Sequence, residues 1–405
     1  MKFKILQINS TCNWGSTGVI AEGLGKIISL EGASSYIAYG RYCRKTQSRP
    51  IKIGNKLFIL IHYFFSVLFD MHGLFSIIPT FVLINKIRKI NPDIIHLHNI
   101  HGYYINYVIL FDFLKRYGKP VVWTLHDCWA YTGHCAYYAS IGCDKWKSSC
   151  YKCPNTKEYP KSYIDLSKYN YRLKRKLFSN VDDLHIVTVS DWLCREVSSS
   201  FLGVYDIRTI YNGVDINCFK PYKSIKAKIC SDSKTLILGV ANKWDNRKGL
   251  MEFIKLSQLL DDDYHIHLVG LSKDQISTLP LNNNLTAVTR TNSTRDLAEL
   301  YSSADVYINL SLEETLGMTN IESMSCGTPV IVYNTTACPE VVGDGCGYVV
   351  EKHALSSIVE ILQNKIRHKK HLYMDNCRNY VVDNFSQSNQ YNKYIVLYNQ
   401  ILSMK

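Results

Sequence analysis

SLEETLGMTNIESMSCGTPV, residues Ser311–Val330, is the part of this chain that says most about its architecture. It contains two carboxylates, Glu314 and Glu322, which are separated by seven residues that include Gly317. The pattern predicts a loop after an apolar strand, a helix beginning near Met318, and a second apolar strand. This order is typical of a doubly wound α/β domain, in which ligands bind at the carboxyl ends of the strands.

The predicted helix start has the chemistry of an anion site. The backbone N–H groups of Gly317–Thr319 would lie at the helix N-terminus, where a phosphate is favoured. Glu322 would lie about one turn into the helix, where it could accept hydrogen bonds from sugar or ribose hydroxyls. In the alternative, Glu314 and Glu322 are solvated helix-start residues, a role that Glu313 fits better. We interpret the segment as a site for a nucleotide sugar rather than for a metal.

Strands and helices alternate along most of the chain, which predicts parallel sheets wound by helices. A polar, irregular stretch begins at Asn212-Gly213, and we place the domain boundary there. Residues 1–212 would form the first Rossmann-like domain, 213–385 the second, and 386–405 a C-terminal helix that packs back toward the first. The predicted strands are Lys4–Ile8, Ser35–Tyr39, Asp93–Leu97, Val121–Leu125, His185–Ser190, Ile207–Tyr211, Thr235–Ala241, His265–Val269, Leu285–Thr289, Val306–Asn309, Val330–Tyr333 and Tyr348–Val350.

Two further strand-to-helix loops contain candidate ligand-binding groups. The loop after the first strand includes Gly15 and Gly18, which would let the backbone approach a ligand closely, although such loops also serve as plain connections. The loop after the first strand of the second half includes Lys243, Arg247 and Lys248. Cations there could neutralise a diphosphate leaving group. The alternative is a solvated basic loop, and Lys248 at the helix start is the best candidate.

Several segments together are similar to the retaining nucleotide-sugar glycosyltransferases of family 4, whose GT-B architecture has two facing Rossmann-like domains. The similar segments are Glu314-Thr-Leu-Gly with Glu322-Ser-Met-Ser-Cys-Gly-Thr-Pro-Val-Ile, Arg247-Lys248-Gly249, Val189-Ser190-Asp191-Trp192, and Tyr211-Asn212-Gly213-Val214-Asp215 with Phe219-Lys220-Pro221. The resemblance implies a same-face displacement in which the leaving group is stabilised without a metal.

The resemblance also implies roles for individual residues. Glu314 would contact the donor sugar and Glu322 the ribose, while Lys248 and Lys243 would contact the diphosphate. An Arg is usual where this chain has Lys243. His126 corresponds to a histidine near the sugar, although a lone His after a strand is more often structural. The catalytic residues implied are His126, Glu314 and Lys248, and the donor-binding residues are Gly15, Gly18, Lys243, Lys248, Glu314, Leu316, Gly317, Met318, Thr319 and Glu322.

Two further groups of candidate residues lie before and after His126 in the sequence. His98 and Asn99, after the strand that precedes it, are weaker candidates for an acceptor site. Four thiols follow within nineteen residues and end in a C-x-x-C turn, which predicts a closed structural zinc site in a Cys-rich insertion at about 130–160. The alternative is free or paired thiols in an irregular insertion. The four predicted ligands are Cys135, Cys143, Cys150 and Cys153. The insertion would form a lid or wall beside the acceptor.

The composition, above all the net charge, indicates which classes of partner the protein can attract. Among 405 residues, 47 Lys and Arg against 34 Asp and Glu give a net charge of +13, which attracts nucleic acid, anionic lipid headgroups and nucleotide diphosphates alike. The apolar segments Leu57–Phe69 and Leu74–Ile84 are each too short to span a bilayer. We favour two core helices for them over a membrane-contacting surface. With no signal peptide apparent, we expect a cytoplasmic protein that could attach peripherally to the inner face of an anionic membrane.

The function predicted from these observations is metal-independent transfer of a sugar, with retention, from a UDP- or GDP-linked donor to a glycan or lipid-linked acceptor in cell-surface polysaccharide synthesis. No catalytic cofactor and no nucleic-acid partner are expected. The alternatives are a nucleotide-sugar epimerase, a glycoside hydrolase, a nucleic-acid-binding zinc protein, and an inactive sugar- or nucleotide-binding subunit. A glycoside hydrolase needs two carboxyls that flank the scissile bond. A nucleic-acid-binding zinc protein needs a helix after its metal site whose side chains contact the bases.

Overall fold

The structure is a computed structural model that describes residues 3–280 and 284–404. Its contacts divide the chain into two compact units, one formed by Met1–Tyr211 with Gln390–Lys405 and the other by Asn212–Asn389. Each unit contains a parallel β-sheet with helices in the connections. The predicted α/β class with two parallel Rossmann-like sheets is therefore confirmed.

The sheet of the first unit has the strand order β3-β2-β1-β4-β5-β6-β7. Its strands are β1 Lys4–Asn9, β2 Ser34–Tyr39, β3 Arg49–Lys52, β4 Ile94–Leu97, β5 Val121–Leu125, β6 Leu184–Thr188 and β7 Ile207–Thr209. The central strands β1, β4 and β5 are almost wholly buried, as expected when helices cover both faces of a parallel sheet. The strand β3 was not predicted, because this short edge strand contains a proline and two basic residues.

Six helices connect these strands, and two of them are exposed to an unusual degree. The helices are α1 Gly15–Leu30, α2 Lys56–Phe69, α3 Ile77–Ile90, α4 Tyr107–Tyr117, α5 Ser167–Phe178 and α6 Asp191–Ser198. In α2, only His62 and Ser66 are buried, so the interpretation of this apolar segment as a core helix is wrong. Among the described residues, no helix combines the length and the apolar character needed to cross a membrane.

The sheet of the second unit has the strand order β10-β9-β8-β11-β12-β13. Its strands are β8 Thr235–Val240, β9 Tyr264–Val269, β10 Leu285–Val288, β11 Val306–Asn309, β12 Val330–Tyr333 and β13 Gly347–Val350. Its helices are α7 Leu250–Leu259, α8 Lys273–Ser277, α9 Thr294–Ser303, α10 Met318–Ser325, α11 Leu355–Ile361 and α12 Met374–Phe385. Because β8, β11 and β12 are adjacent, the loops that follow them meet at one edge of the sheet.

The last helix, α13 Gln387–Ser403, belongs to the first unit from Gln390 onward. Its aromatic side chains Tyr391, Tyr394 and Tyr398 are buried in one hydrophobic cluster with side chains of β1, α1 and β4. The Tyr398 hydroxyl also lies 2.6 Å from Nδ1 of His96 on β4. The helix therefore completes the core of the first unit through contacts far apart in sequence.

Candidate active site

The loop between β11 and α10 is shaped by a glycine and by two asparagines. Gly317 precedes the helix with φ +85°, and a Cβ there would lie 2.8 Å from Nδ2 of Asn320, so a side chain would be strained in both respects. Asn309, the last residue of β11, donates from Nδ2 to Oδ1 of Asn320 at 3.0 Å. Its Oδ1 accepts a hydrogen bond from Ser311 N at 3.0 Å. These contacts fix the loop that contains Glu314 and the helix start that follows it.

Lys248 and Glu314, which are 66 residues apart in sequence, form an ion pair between Nζ and Oε1. Lys248 ends a short turn after β8, and Asp245 caps that turn by accepting a hydrogen bond from Lys248 N at 3.1 Å. A Cβ on the next residue, Gly249, would lie 2.4 Å from the Leu310 carbonyl oxygen. The glycine thus allows the basic turn to pack directly against the end of β11.

The environment of Glu314 keeps its carboxylate ionised. Burial by itself would raise the pKa of Glu314, but the charges of Lys248 and Arg247 outweigh this effect and hold the pKa below its usual value. Arg247 also donates to the Glu313 carbonyl at 2.8 Å, and Leu312 N donates to the Arg247 carbonyl at 2.8 Å. The two loops are therefore joined by main-chain contacts as well as by the ion pair.

The pKa of Glu322 is shifted in the opposite direction from that of Glu314. Glu322 lies on the second turn of α10, and Tyr301 donates a hydrogen bond from its hydroxyl to Oε2 of Glu322 at 3.2 Å. Burial raises the pKa of Glu322 to about 7, and the tyrosine contact only partly offsets this. Glu322 therefore differs from Glu314 in being close to half protonated near neutral pH.

The other predicted donor-binding residues of the second unit lie around this pair. Leu316 is buried, Met318 and Thr319 are partly exposed at the start of α10, and Lys243 is exposed in the loop after β8. Between Lys243 and the basic turn, Trp244 is buried and donates from Nε1 to the Val269 carbonyl at 2.9 Å. This tryptophan anchors the loop from which Lys243 extends.

In the first unit, His98 and His126 lie at the ends of β4 and β5 and contact each other. His98 Nδ1 is 3.1 Å from His126 Nε2, and both side chains line a cavity of about 190 Å³ together with Asn99. Burial lowers the pKa of His126 to about 4 and that of His98 well below its usual value. Both imidazoles are therefore neutral.

His101 and Asp127 in the same cavity were missed as candidate functional residues. His101 Nε2 lies 2.9 Å from Oδ2 of Asp127, and His101 Nδ1 lies 2.9 Å from the Tyr159 hydroxyl. Burial opposes ionisation of Asp127, but His101 outweighs it and lowers the carboxyl pKa below its usual value. The signal for Asp127 was its position directly after His126 at a strand end.

Gly15 and Gly18 lie in the first unit, where the loop after β1 enters α1. A Cβ on Gly18 would lie 2.6 Å from Oγ1 of Thr11, whereas a Cβ on Gly15 would meet no atom within 4 Å. Gly15 has φ +64°. Gly18 is thus required by close packing of the loop on the helix, and Gly15 by the backbone turn. The other eight predicted donor-binding residues belong to the second unit.

The predicted zinc site is not supported. The four cysteines line one cavity of about 280 Å³, but within residues 3–280 and 284–404 no group of three or more histidine, cysteine or carboxylate side chains is placed to hold a metal ion. Instead, the Sγ atoms of Cys135 and Cys153 are hydrogen-bonded at 3.4 Å, and Cys150 Sγ accepts from Gly133 N at 3.1 Å. A structural zinc site needs four ligands directed at one point, and this arrangement is not found among the described residues.

Two contacts in the second unit had no signal in the sequence. Tyr301, on α9, reaches Glu322 across the unit. Thr336 fixes the main chain of Glu314, because its Oγ1 donates to the Glu314 carbonyl and accepts from Glu314 N, both at 2.8 Å. Each partner is more than twenty residues away along the chain, so no local pattern could reveal either contact.

Comparison with protein families gives two matches that together cover most of the chain. The model described as "Glycosyltransferase Family 4" matches residues 41–217. The model described as "Glycosyl transferases group 1" matches residues 222–379, which include Lys248, Glu314 and Glu322.

Individual proteins are similar over nearly the whole chain. WcaC of Escherichia coli K12, named as a colanic acid biosynthesis glycosyl transferase, is 25% identical over 381 residues that cover 89% of this chain and 91% of WcaC. Sucrose-phosphate synthase from Thermosynechococcus elongatus has a TM-score of 0.73 at 16% identity, with all of both chains covered. HepE of Anabaena in complex with UDP-glucose has a TM-score of 0.67 at 15% identity, again with full coverage. The two structural matches show a shared fold.

Proposed function

Because the chain belongs to the family 4 glycosyltransferases, we propose that it transfers a hexose from a nucleotide-diphosphate sugar, with retention, to a glycan or lipid-linked acceptor in cell-surface polysaccharide synthesis. The observation that carries this proposal is the Lys248–Glu314 ion pair beside the N-terminus of α10. A cation, a row of backbone N–H groups and an ionised carboxylate are what a diphosphate with an attached sugar requires. The similarity to WcaC and to HepE bound to UDP-glucose supports the same class of reaction.

In this proposal, the second unit binds the donor. Lys248, with Lys243 as a further cation, neutralises the charge that develops on the departing diphosphate, while the N–H groups of Gly317–Thr319 hold its oxygens. Glu314 accepts hydrogen bonds from the sugar and Glu322 from the ribose. Arg247 acts indirectly, because it fixes the main chain of the loop that contains Glu314. The stabilisation comes from fixed protein charges, so the chemical step needs no metal.

In the first unit, His126 is the candidate for a contact with the sugar, and the loop that contains Gly15 and Gly18 can approach a ligand closely. His98 and Asn99 adjoin His126 in the same cavity, which supports a place for them at the acceptor. Ala130, the first residue of the segment 130–160, also lines this cavity, which supports a place for the segment beside the acceptor. Neutral, buried imidazoles suit hydroxyl groups better than they suit phosphate.

The experiment that tests this function is a thermal-shift screen with UDP-, GDP- and ADP-linked hexoses. A ligand that binds the native state raises its melting temperature by mass action, so we expect a shift with one nucleotide and loss of that shift in Lys248→Ala. Lys255→Ala, which removes an exposed lysine of α7, is the matched control. No shift with any donor would contradict the proposal.

Turnover then separates the alternatives. A transferase releases a nucleoside diphosphate when acceptor is present, whereas an epimerase converts one nucleotide sugar into another and releases none. An inactive binding subunit would show the thermal shift without either product. The anomeric configuration of the product, measured by NMR, tests retention.

We also propose that the protein is cytoplasmic and attaches peripherally to an anionic membrane through α2 and α3. Ten large apolar side chains of these consecutive helices are exposed, which far exceeds the scattered apolar residues of an ordinary surface. They are Leu57, Leu60, Ile61, Tyr63, Phe64, Phe69, Ile77, Ile78, Phe81 and Val82. We call these ten side chains the apolar surface.

The charge around the apolar surface favours anionic lipid over a second protein chain. Residues 41–92 contain nine Lys and Arg and a single acidic residue, Asp70. Asp70 is buried against His134, whereas Lys56, Lys86, Arg88 and Lys89 are exposed. Apolar side chains with flanking cations are the composition of an interfacial membrane contact.

Flotation with vesicles tests this attachment. We expect binding to phosphatidylcholine vesicles that contain phosphatidylglycerol, weaker binding without the anionic lipid, and loss of binding in Leu60→Ser/Phe64→Ser. The control is Val204→Ser, an exposed apolar residue of the same unit outside the apolar surface. Absence of flotation at low salt would refute the attachment, and dimerisation that the double variant abolishes would assign the apolar surface to a second copy.

A further inference from the structure

A continuous chain of buried hydrogen bonds joins the interior of the first unit to His126. Gln7 on β1 donates from Nε2 to the Ala21 carbonyl at 2.9 Å. Its Oε1 lies 3.0 Å from Nε2 of His98, and Nδ1 of His98 lies 3.1 Å from Nε2 of His126. Gln7 and His98 are at most 1% exposed, so water does not compete for these groups.

The direction of every bond in this chain follows from its first member. A carbonyl oxygen can only accept, so the amide nitrogen of Gln7 must face Ala21 and its oxygen must face His98. That oxygen also only accepts, which places the hydrogen of His98 on Nε2. A neutral imidazole has one N–H, so Nδ1 of His98 accepts, and His126 must donate from Nε2.

We propose that Gln7 and His98 are positioning residues that fix His126 in the Nε2–H tautomer, with Nδ1 as a hydrogen-bond acceptor. This goes beyond the proposed function, which gives His126 a place near the sugar but no direction for its hydrogen bond. The effect of the tautomer on transfer rests on that function. An acceptor nitrogen receives the O–H of a sugar hydroxyl, and it cannot donate to a phosphate oxygen or protonate a leaving group. In this positioning role, His98 acts through His126.

A neighbouring histidine provides an internal control. His96 lies against His98 with ring centroids 4.1 Å apart and ring planes tilted by 32°. Its Nδ1 and Nε2 both contact hydroxyl groups, those of Tyr398 at 2.6 Å and Thr124 at 2.8 Å. A hydroxyl can donate or accept, so either tautomer of His96 is satisfied. The single tautomer of His98 and His126 therefore follows from the Ala21 carbonyl and the Gln7 amide that begin the chain. Burial alone does not produce it, because His96 is equally buried.

The test is a long-range proton–nitrogen NMR spectrum of the full chain labelled with ¹⁵N-histidine, without substrate. We expect His98 and His126 to appear as Nε2–H tautomers that do not titrate near neutral pH. In Gln7→Glu, a carboxylate stabilises the doubly protonated His98, whose Nδ1–H then forces His126 into the Nδ1–H tautomer. In Gln7→Met, which keeps the volume and removes the acceptor, His126 should become a mixture. Thr124→Val is the control, and it should alter His96 alone.

The outcomes distinguish this inference from the proposed function. A wild-type His126 with its hydrogen on Nδ1, or folded Gln7 variants with an unchanged tautomer, would overturn the inference. Where the tautomer changes, we expect kcat/KM for transfer to fall about five- to tenfold, the effect of one neutral hydrogen bond. An unchanged kcat/KM in a variant with the altered tautomer would instead refute the role of His126 in transfer.

Discussion

In the first unit, β4 and β5 are followed directly by buried imidazoles that are uncharged, whereas in the second unit the loops after β8 and β11 contain a lysine and a glutamate that form an ion pair. Burial disfavours the ionised forms of His98, His126 and Glu314. For His98 and His126, burial determines the result and lowers the pKa of each. For Glu314, the nearby charges of Lys248 and Arg247 outweigh it.

The difference shows that one architecture can hold two kinds of polar site. A buried group near a strand end is ionised where opposite charges outweigh burial, as for Glu314, and stays neutral where burial prevails, as for His126 beside Asp127. Charged groups suit a diphosphate whose charge grows during transfer, and neutral acceptors suit hydroxyl groups. This division leads to four predictions about how much the charged and the neutral groups contribute to transfer, donor binding and stability.

Lys248→Ala should have the largest effect. Removing the cation that stabilises the departing diphosphate should lower kcat by about 10²- to 10³-fold, by analogy with the loss of one group that stabilises developing charge. Glu314→Ala should lower kcat to a similar extent while the fold stays intact. Initial rates and thermal denaturation measure both properties, with Lys255→Ala as control. Full activity in either variant would remove the charged site from the mechanism.

Glu322→Gln should stabilise the ligand-free protein at pH 8 and leave it almost unchanged at pH 4. A carboxyl with a folded-state pKa raised to about 7 contributes stability below its unfolded-state pKa, and this stability is lost as pH rises through 7. The ionised, buried carboxylate then costs at most about 3 kcal/mol, which the amide avoids. Melting temperatures at the two pH values measure this effect.

The same variant should bind the donor more weakly, because an ionised carboxylate accepts stronger hydrogen bonds from ribose hydroxyls than an amide does. For the wild type, donor affinity should therefore fall as pH decreases below about 7. Glu360→Gln, at an exposed position on α11, is the control. An equal change in melting temperature at both pH values would show that Glu322 is not the titrating group.

His126→Phe should have a smaller effect than Lys248→Ala. A neutral imidazole that accepts one hydroxyl hydrogen bond contributes about 1 kcal/mol, so kcat/KM should fall roughly fivefold to tenfold. Steady-state rates of transfer measure this loss. A loss as large as that expected for Lys248→Ala would show that the neutral site of the first unit contributes as much to transfer as the charged site of the second.

Chelation should have the smallest effect. Fixed charges replace a metal at the proposed diphosphate site, so EDTA should leave the transfer rate unchanged within about twofold over short times. Rates before and after addition of EDTA, and then of Mg²⁺ or Mn²⁺, measure this. An immediate loss that either ion restores would contradict metal-independent transfer.

Much of the fold could be predicted from the sequence, because parallel strands buried on both faces are continuous apolar runs such as those of β5 and β12. The helix α10 was also predicted at Met318–Ser325, since Gly317 and the Cys-Gly-Thr-Pro turn mark its ends. The edge strand β3 was missed, because its charged and proline-containing sequence has no strand signal. The exposure of α2 was missed for a different reason, since an apolar helix has the same sequence pattern in a core and on a membrane-contacting surface.

For the candidate site, the sequence by itself determined which chemical groups are available and on which loops they lie, because Glu314, Glu322, Lys248 and His126 each follow a recognisable strand or open a helix. The tertiary structure alone decided their charge states and partners. The Lys248–Glu314 pair joins residues 66 positions apart, and the chain from Gln7 to His98 spans 91. A pKa and a tautomer depend on burial and on neighbours in space, and neither is written in the order of residues along the chain.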